Sequence, residues 1–425
     1  LVLGNPASPK SNYTIYISVK ATNTVAADSS HRATLDLSAL DNFTFAGGFI
    51  GVAGDGSTGA NNQPVGTFLL AKTNLIIANR TSSTLGTIRI SHNPGGNATG
   101  AAENLMELGH DNAINTIYLR IGGMKALNGG AMRFRQGLTN PTLKLRGPDG
   151  LSRLSLLTLG DNWDTATGVA STGVLDLSGG TVDGLIETLH VARTFNNGGS
   201  TTSSGSGTGT LTFTAGTIDV TTLFLGCQGK NNAATGTGVI SVRHNASLVA
   251  GTINIGGDAG TQSGTGNGAL NVDGGTVLVS GNILENDASG GDGASTINMT
   301  NAGVLNLQPS GDLTSRNITV DTLNFSSGTL TNYGTLGLRT LNLHSPATAF
   351  TVRSGQALTA VGAGTNPIGT LTVNGSLTLT NATWHCDLSD SPTGSNDLLT
   401  VTGTLRLSGS NQVEINMVDG TLVVG

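Results

Sequence analysis

Three side chains stand closest to a constellation that could do chemistry. Asp183 and Asp219 follow two copies of one short repeated phrase, and His190 lies a little way along the chain from the first of them. If the two copies stack, their carboxylates lie one rung apart, near 4.8 Å along the stacking direction. Paired carboxylates at about 5 Å would serve glycoside hydrolysis. Asp176 belongs to the same copy as His190. Against this enzyme reading, the next copies carry no acidic residue at that place, and two aspartates beside turns are also what local hydrogen bonding to backbone amides requires. A non-enzyme is therefore expected, with Asp183, Asp219 and His190 kept as the alternative.

Other reactive patterns are weaker. Gly290-Gly291-Asp292-Gly293 has the look of a calcium-binding β-roll repeat, but that motif needs tandem nonapeptides and is present once, in fragment. Calcium at turns carrying Asp258, Asp287 or Asp292 is left open. The seven histidines show no spaced metal-ligand pattern, so no metal and no cofactor are expected. Seven of the 20 Lys and Arg fall in one stretch: Arg120, Lys125, Arg133, Arg135, Lys144, Arg146 and Arg153. Arg133 with Arg135, and Lys144 with Arg146, alternate with apolar neighbours and are expected to point outward together. Such a patch would meet an anionic polysaccharide or an acidic face of another subunit, or is simply a solvated face.

The elements that must position these residues are written repeatedly between about Gly173 and Leu343. The phrase begins apolar, polar, apolar: Leu175-Asp176-Leu177, Leu211-Thr212-Phe213, Ile240-Ser241-Val242, Leu270-Asn271-Val272, Ile297-Asn298-Met299 and Leu323-Asn324-Phe325, 26 to 36 residues apart. A glycine break leads to a second strand, as in Gly180-Thr181-Val182 and Gly216-Thr217-Ile218. A third follows in several copies, as in Leu189-His190-Val191, Leu223-Phe224-Leu225 and Ile253-Asn254-Ile255. Period-two alternation turns the apolar residues to one face and the polar ones to the other. Repetition at this spacing marks a solenoid. The expected fold is all-β: a parallel β-helix with three strands per rung, wound right-handed, whose inner column is apolar and whose outer ladder is Asp176, Thr212, Ser241, Asn271, Asn298 and Asn324. No single rung buries enough to stand alone, so stability belongs to the stack.

Residues 1–66 read as irregular first rungs or a cap, 67–170 as a less regular β-helix bearing the basic stretch, 171–345 as the regular repeats and 346–425 as a C-terminal solenoid segment. The best helix candidate, Ala101 to Leu108, is short enough to be a turn instead. Gly/Ser/Asn/Thr-rich loops at 196–207, 229–238 and 257–268 recur at one place in the unit and are expected along one edge, as a binding surface or as solvated turns.

Composition agrees with a corner-rich β protein: 64 glycines in 425 residues and 11% charged residues, against about 25% in an average domain. A net charge of −6 argues against a nucleic-acid binder. No apolar run approaches a membrane-spanning helix, and no direct membrane insertion is expected. Cys227 and Cys386 are too far apart in a solenoid to form a disulfide. The chain opens on Leu1 with no signal-peptide pattern, so a mature or trimmed product is expected.

From Thr370 the phrasing changes, through Leu371-Thr372-Val373-Asn374-Gly375-Ser376-Leu377-Thr378-Leu379 to the run Ser395-Asn396-Asp397-Leu398-Leu399-Thr400-Val401-Thr402-Gly403-Thr404-Leu405. This stretch resembles secreted bacterial proteins built from autotransporter-associated β-strand repeats, closely over about the last 60 residues and at the level of repeat grammar from about 170. The resemblance implies a β-solenoid, secreted or at the cell surface of a Gram-negative-type bacterium, with a structural or adhesive role. It transfers no catalytic residues. Leu1-Val2-Leu3 and Leu422-Val423-Val424 are short, apolar and β-prone, so the expected partner is another copy of the chain, added head to tail into a fibre. The alternative is a β-helix that binds or cleaves polysaccharide.

Overall fold

The computed structural model describes residues 1–10, 12–17, 32–54, 65–79, 88–92, 103–123, 129–161, 170–195, 206–229, 235–256, 265–285, 293–307, 316–362, 366–389 and 395–418. Within them the regular structure is all strand, with no helix. The strands pair in parallel, and through the first part of the chain each pairs with the strand three before it and the strand three after it. Asn42–Gly47, Thr73–Ala78, Asp111–Thr116 and Thr142–Arg146 form one column. Phe49–Gly54, Ile88–His92, Tyr118–Gly123 and Leu154–Asp161 form a second. Gly66–Leu69, Asn104–Leu108, Gly130–Phe134 and Ser171–Leu177 form a third. Thr181–Phe195 then runs through the first two columns without a break. The result is a long, parallel, β-solenoid-like stack. Its pairing continues across residues 66–67, 170–171 and 345–346, and a separate sheet of three parallel strands, Ala349–Val352, Ser376–Thr380 and Leu405–Ser408, adds to the C-terminal part.

Alternation explains why these residues take this form. In the third column Leu175, Leu211, Ile240, Leu270, Ile297 and Leu323 stack in register and are all buried, while the residue after each points outward. Each inward leucine or isoleucine is worth roughly 1.5–3 kcal/mol of burial, realised only because rungs above and below close over it. The segment with the best helical look, Ala101 to Leu108, obeys the same rule. Its Asn104–Leu108 part is a strand with alternating burial, paired to Gly66–Leu69 on one side and Gly130–Phe134 on the other. A helix there would have left Met106 and Leu108, both fully buried, without their neighbours. Tertiary pairing has overridden local preference.

One corner is built the same way in seven successive rungs. Directly after the stacked Val52, Ile90, Ile121, Leu159, Val191, Leu225 and Ile255, the chain turns through a residue with positive φ: Ala53, Ser91, Gly122, Gly160, Ala192, Gly226 and Gly256. At Gly160 a Cβ would lie 2.0 Å from the carbonyl oxygen of Thr208 in the following rung. The loops expected at 196–207, 229–238 and 257–268 follow this corner, but residues 196–205, 230–234 and 257–264 lie outside the described residues, as do Asp258, Asp287, Asp292 and the Gly290-Gly291-Asp292 fragment.

Neither cysteine is in a disulfide; Cys227 is buried and Cys386 half-buried. No helix among the described residues is long and apolar enough to cross a membrane.

Candidate functional site

The expected carboxylate pair does not form. Asp183 lies opposite Thr217, and Asp219 lies opposite Leu185, two positions out of register. The cause is turn length. Leu177 stacks on Phe213, but Val182 stacks on Gly216, so the turn in the earlier rung is two residues longer than in the later one. Each carboxylate is instead clamped by an arginine from an earlier rung, Arg146 at the end of Thr142–Arg146 and Arg153 just before Leu154–Asp161. Arg146 donates from Nη2 to Asp183 Oδ2 at 2.6 Å and from Nη1 to the Asp183 carbonyl at 2.7 Å. Arg153 does the same to Asp219, at 2.9 Å and 2.9 Å. Asp176 accepts the Ser178 amide at 2.9 Å, the local turn bond expected of such a residue.

His190 lies in the second column, stacked flat on Phe224 of the next rung with ring centroids 4.7 Å apart. Beside it is a buried ionic cluster. Asp161, with no exposure, accepts Arg193 Nε at 3.0 Å and Nη2 at 2.9 Å, and Arg120 Nη1 at 3.2 Å. Burial opposes ionisation of Asp161, but Arg193 and Arg120 outweigh it and hold the carboxyl below its ordinary value. Burial first, and Arg193 second, push His190 down to about 3. Neutral in the fold, it takes up a proton near 6.5 once unfolded. The unfolded state therefore binds more protons between pH 6.5 and 3, and stability is full above that window and falls as pH drops through it. Between pH 7 and pH 5, above the carboxylate range, His190 is expected to cost the fold about 1–2 kcal/mol. A His190→Phe variant, which keeps the stack on Phe224, should lose that much less in urea midpoints at the two pH values, and an unchanged pH dependence would refute the assignment.

The expected basic patch is not assembled either. Arg120 and Arg146, 4% and 7% exposed, are drawn into the ion pairs above: Arg146 ends the strand Thr142–Arg146, where the outward direction of mid-strand residues no longer holds, and Arg120, within Tyr118–Gly123, is buried against Asp161 of the next rung. Arg153 is committed to Asp219. Arg135 donates to the Leu70 carbonyl, and Arg133 pairs with Glu103 at 3.0 Å and Glu107 at 3.8 Å. Lys144 is exposed, and Lys125 lies outside the described residues.

What the fold does assemble is one outward column running the length of the third set of strands. Its first half carries charge: Asp36, Leu69, Glu107, Arg133 and Asp176 stack in register. Its second half runs from Thr212 through Ser241 into amides. Asn271 Nδ2 donates to Ser241 Oγ at 3.1 Å, Asn298 to Asn271 Oδ1 at 2.7 Å and Asn324 to Asn298 at 2.6 Å. Asn342 donates to Asn324 at 2.8 Å, and Asn374 to Asn342 at 2.7 Å. The sequence pattern marks the column from Asp176 to Asn324. It misses Glu107 and Arg133, although Met106-Glu107-Leu108 and Met132-Arg133-Phe134 have the same apolar, polar, apolar form as Leu175-Asp176-Leu177.

Two concavities open on this column. A cleft of about 480 Å³ is lined by Glu107, Arg133, Phe134, Arg135 and Asp176 among others. A longer groove of about 640 Å³ follows the amides, from Ser241, Asn271 and Asn298 to Ser326, Ser327, Ser345 and Pro346, with Arg243 and Asp273 on its side. Arg243 Nε meets Asp273 Oδ2 at 2.8 Å. Burial works against the Asp273 charge, while hydrogen bonds from Asn301, Arg243 and Thr300 hold its carboxyl below the usual range. Among the described residues, no group of three His, Cys, Asp or Glu side chains gathers as metal ligands would.

The first and last described strands carry exposed apolar residues. Leu1, Val2 and Leu3 are 52%, 67% and 38% exposed, and among the described residues Val2 and Leu3 pair with Thr44 and Phe45 alone. Toward the other end Leu405, Leu407, Val413 and Ile415 are exposed on strands that, among the described residues, pair with one neighbour each. Leu422, Val423 and Val424 lie outside the described residues.

No protein-family model matches the chain, and neither a curated protein nor a solved structure matches it. The likeness to autotransporter-associated repeat proteins therefore rests on the sequence phrases alone.

Proposed function

We propose that this chain is a non-enzymatic structural or adhesive β-solenoid, secreted or displayed on the surface of a Gram-negative-type bacterium. In this reading it is a right-handed parallel β-helix with three strands per rung, the hand that crossover connections between parallel strands adopt. The observation that carries the proposal is where the reactive side chains go. Arg146 with Asp183, Arg153 with Asp219, and Arg193 and Arg120 with Asp161 are all spent on holding one strand to another. The amide ladder does the same along the outside. Such a chain provides length and a regular surface.

One-sided pairing and exposed apolar residues at both ends of the described stack support addition of copies head to tail, a heterologous contact that need not close. Negative-stain electron microscopy at micromolar concentration should show rods longer than one molecule and of constant width. Ile415→Glu, which puts a charge on the terminal face, should shorten them. Monodisperse short rods of wild-type protein would overturn head-to-tail assembly.

The groove over the amide ladder favours a second reading, a polysaccharide-binding solenoid without cleavage, since Asp183 and Asp219 are out of register and each is held by an arginine.

A further inference from the structure

We infer that the groove over the amide ladder binds a neutral, hydroxyl-rich polysaccharide lying lengthwise along the stack. The inference deepens the polysaccharide-binding reading and is independent of end-to-end assembly.

Hydrogen-bond capacity is the first ground. A primary amide has two N–H donors and two lone pairs on its oxygen. In the ladder Asn298 spends one donor on Asn271 and one lone pair on Asn324, and Asn271 spends one donor on Ser241 and one lone pair on Asn298. Each of these two groove-lining amides thus keeps one donor and one acceptor, fixed in direction by the ladder itself, and hydroxyls of Ser241, Ser326, Ser327 and Ser345 continue the polar lining on the neighbouring rungs. A ligand with paired donor and acceptor groups at a matching interval satisfies them, and sugar hydroxyls are both donors and acceptors.

Spacing and length are the second ground. Rungs repeat at about 4.8 Å, a step comparable to the advance of an extended pyranose chain. From the Ser241 rung to the Ser345 rung the groove covers four such steps, roughly 19 Å, enough for about four sugar units.

Charge is the third. Arg243 and Asp273 on the groove wall neutralise one another at 2.8 Å, and the other lining side chains are amides, hydroxyls and Pro346, whose ring offers an apolar surface to a sugar's C–H face. A carboxylated chain would find no uncompensated cation here and would face Asp273. The arginines that would have suited an anionic ligand are paired elsewhere, Arg146 with Asp183 and Arg153 with Asp219.

The test is native electrophoresis of the whole chain through gels containing dissolved hydroxyethyl cellulose, a neutral β-linked glucan, or polygalacturonate, an anionic one. Hydroxyethyl cellulose should retard the wild-type protein and polygalacturonate should not. Ser326→Trp fills the groove from its wall without touching the ladder, and should weaken retardation at least ten-fold while leaving the thermal midpoint unchanged. Asn298→Leu, which removes a ladder amide, should also weaken it. Retardation by hydroxyethyl cellulose that survives Ser326→Trp would overturn the site. Retardation by polygalacturonate alone would overturn the neutral ligand and leave polysaccharide binding standing. Retardation by neither would overturn both.

Discussion

Replacing Asp161 by alanine is expected to lower the unfolding free energy by about 3–5 kcal/mol, the cost of removing one partner from a buried ion cluster. Asp161 has no exposure and both its oxygens are used: Oδ1 by Arg193 Nε, Oδ2 by Arg193 Nη2 and Arg120 Nη1. The three residues come from adjacent strands, Tyr118–Gly123, Leu154–Asp161 and Thr181–Phe195, so the carboxylate ties three successive rungs at the corner of the second column. Without it, two guanidinium groups lose the charge that offsets their burial and repel each other. In a stack whose stability is a sum of neighbour contacts the damage should be local at first. Hydrogen exchange should rise in those three strands before it rises in the Asn ladder strands. Replacing all three by leucine should recover most of the loss, because apolar side chains carry no desolvation penalty. A urea midpoint unchanged by Asp161→Ala would show that the cluster adds nothing to stability.

The second large effect is expected at the repeated corner. Gly160 has φ of +67°, and a Cβ built there would lie 2.0 Å from the Thr208 carbonyl oxygen. Thr208 cannot retreat, since it is held in register between Thr172 and Thr237. Gly160→Val should therefore cost about 3 kcal/mol or more, combining a β-branched residue in the left-handed region with overpacking against backbone. Ala53, Ser91 and Ala192 occupy the same corner in other rungs, so the corner itself admits a Cβ where the next rung leaves room. Ala192→Gly should then stay within about 1 kcal/mol of wild type, relief of the left-handed strain being offset by the added freedom of glycine in the unfolded chain. Thermal or urea midpoints of the two variants decide the matter, and equal midpoints would refute the steric account.

Individual residues separate what is legible in the sequence from what is not. The ladder from Asp176 to Asn324 is a sequence feature: each member is the middle of an apolar, polar, apolar triplet, and period two can send it only outward. Its extension through Glu107 and Arg133 was written in the same form, but the spacing in that stretch is irregular and the phrase does not announce itself. The pairing of Asp183 with Asp219 fails for a reason composition cannot reveal. Two extra residues in one turn are absorbed outside the strands and slide the next strand by a full period, which preserves facing while changing partners. The basic stretch fails differently. Arginines with mid-strand alternation were expected to face water, yet Arg146 ends its strand and lies at a corner, where its guanidinium folds back onto the Asp183 carbonyl and carboxylate.

By itself, then, the chain's alternation and its repeat spacing determined an all-β stack with an apolar interior and a polar outer ladder, because facing depends only on parity along a strand. Which charged groups meet was decided by the tertiary structure alone. Partners across rungs depend on the length of every intervening turn and on where each strand stops. Those two quantities joined Arg120, Asp161 and Arg193, separated Asp183 from Asp219, and committed Arg146 and Arg153 to ion pairs within the stretch that reads as a basic surface.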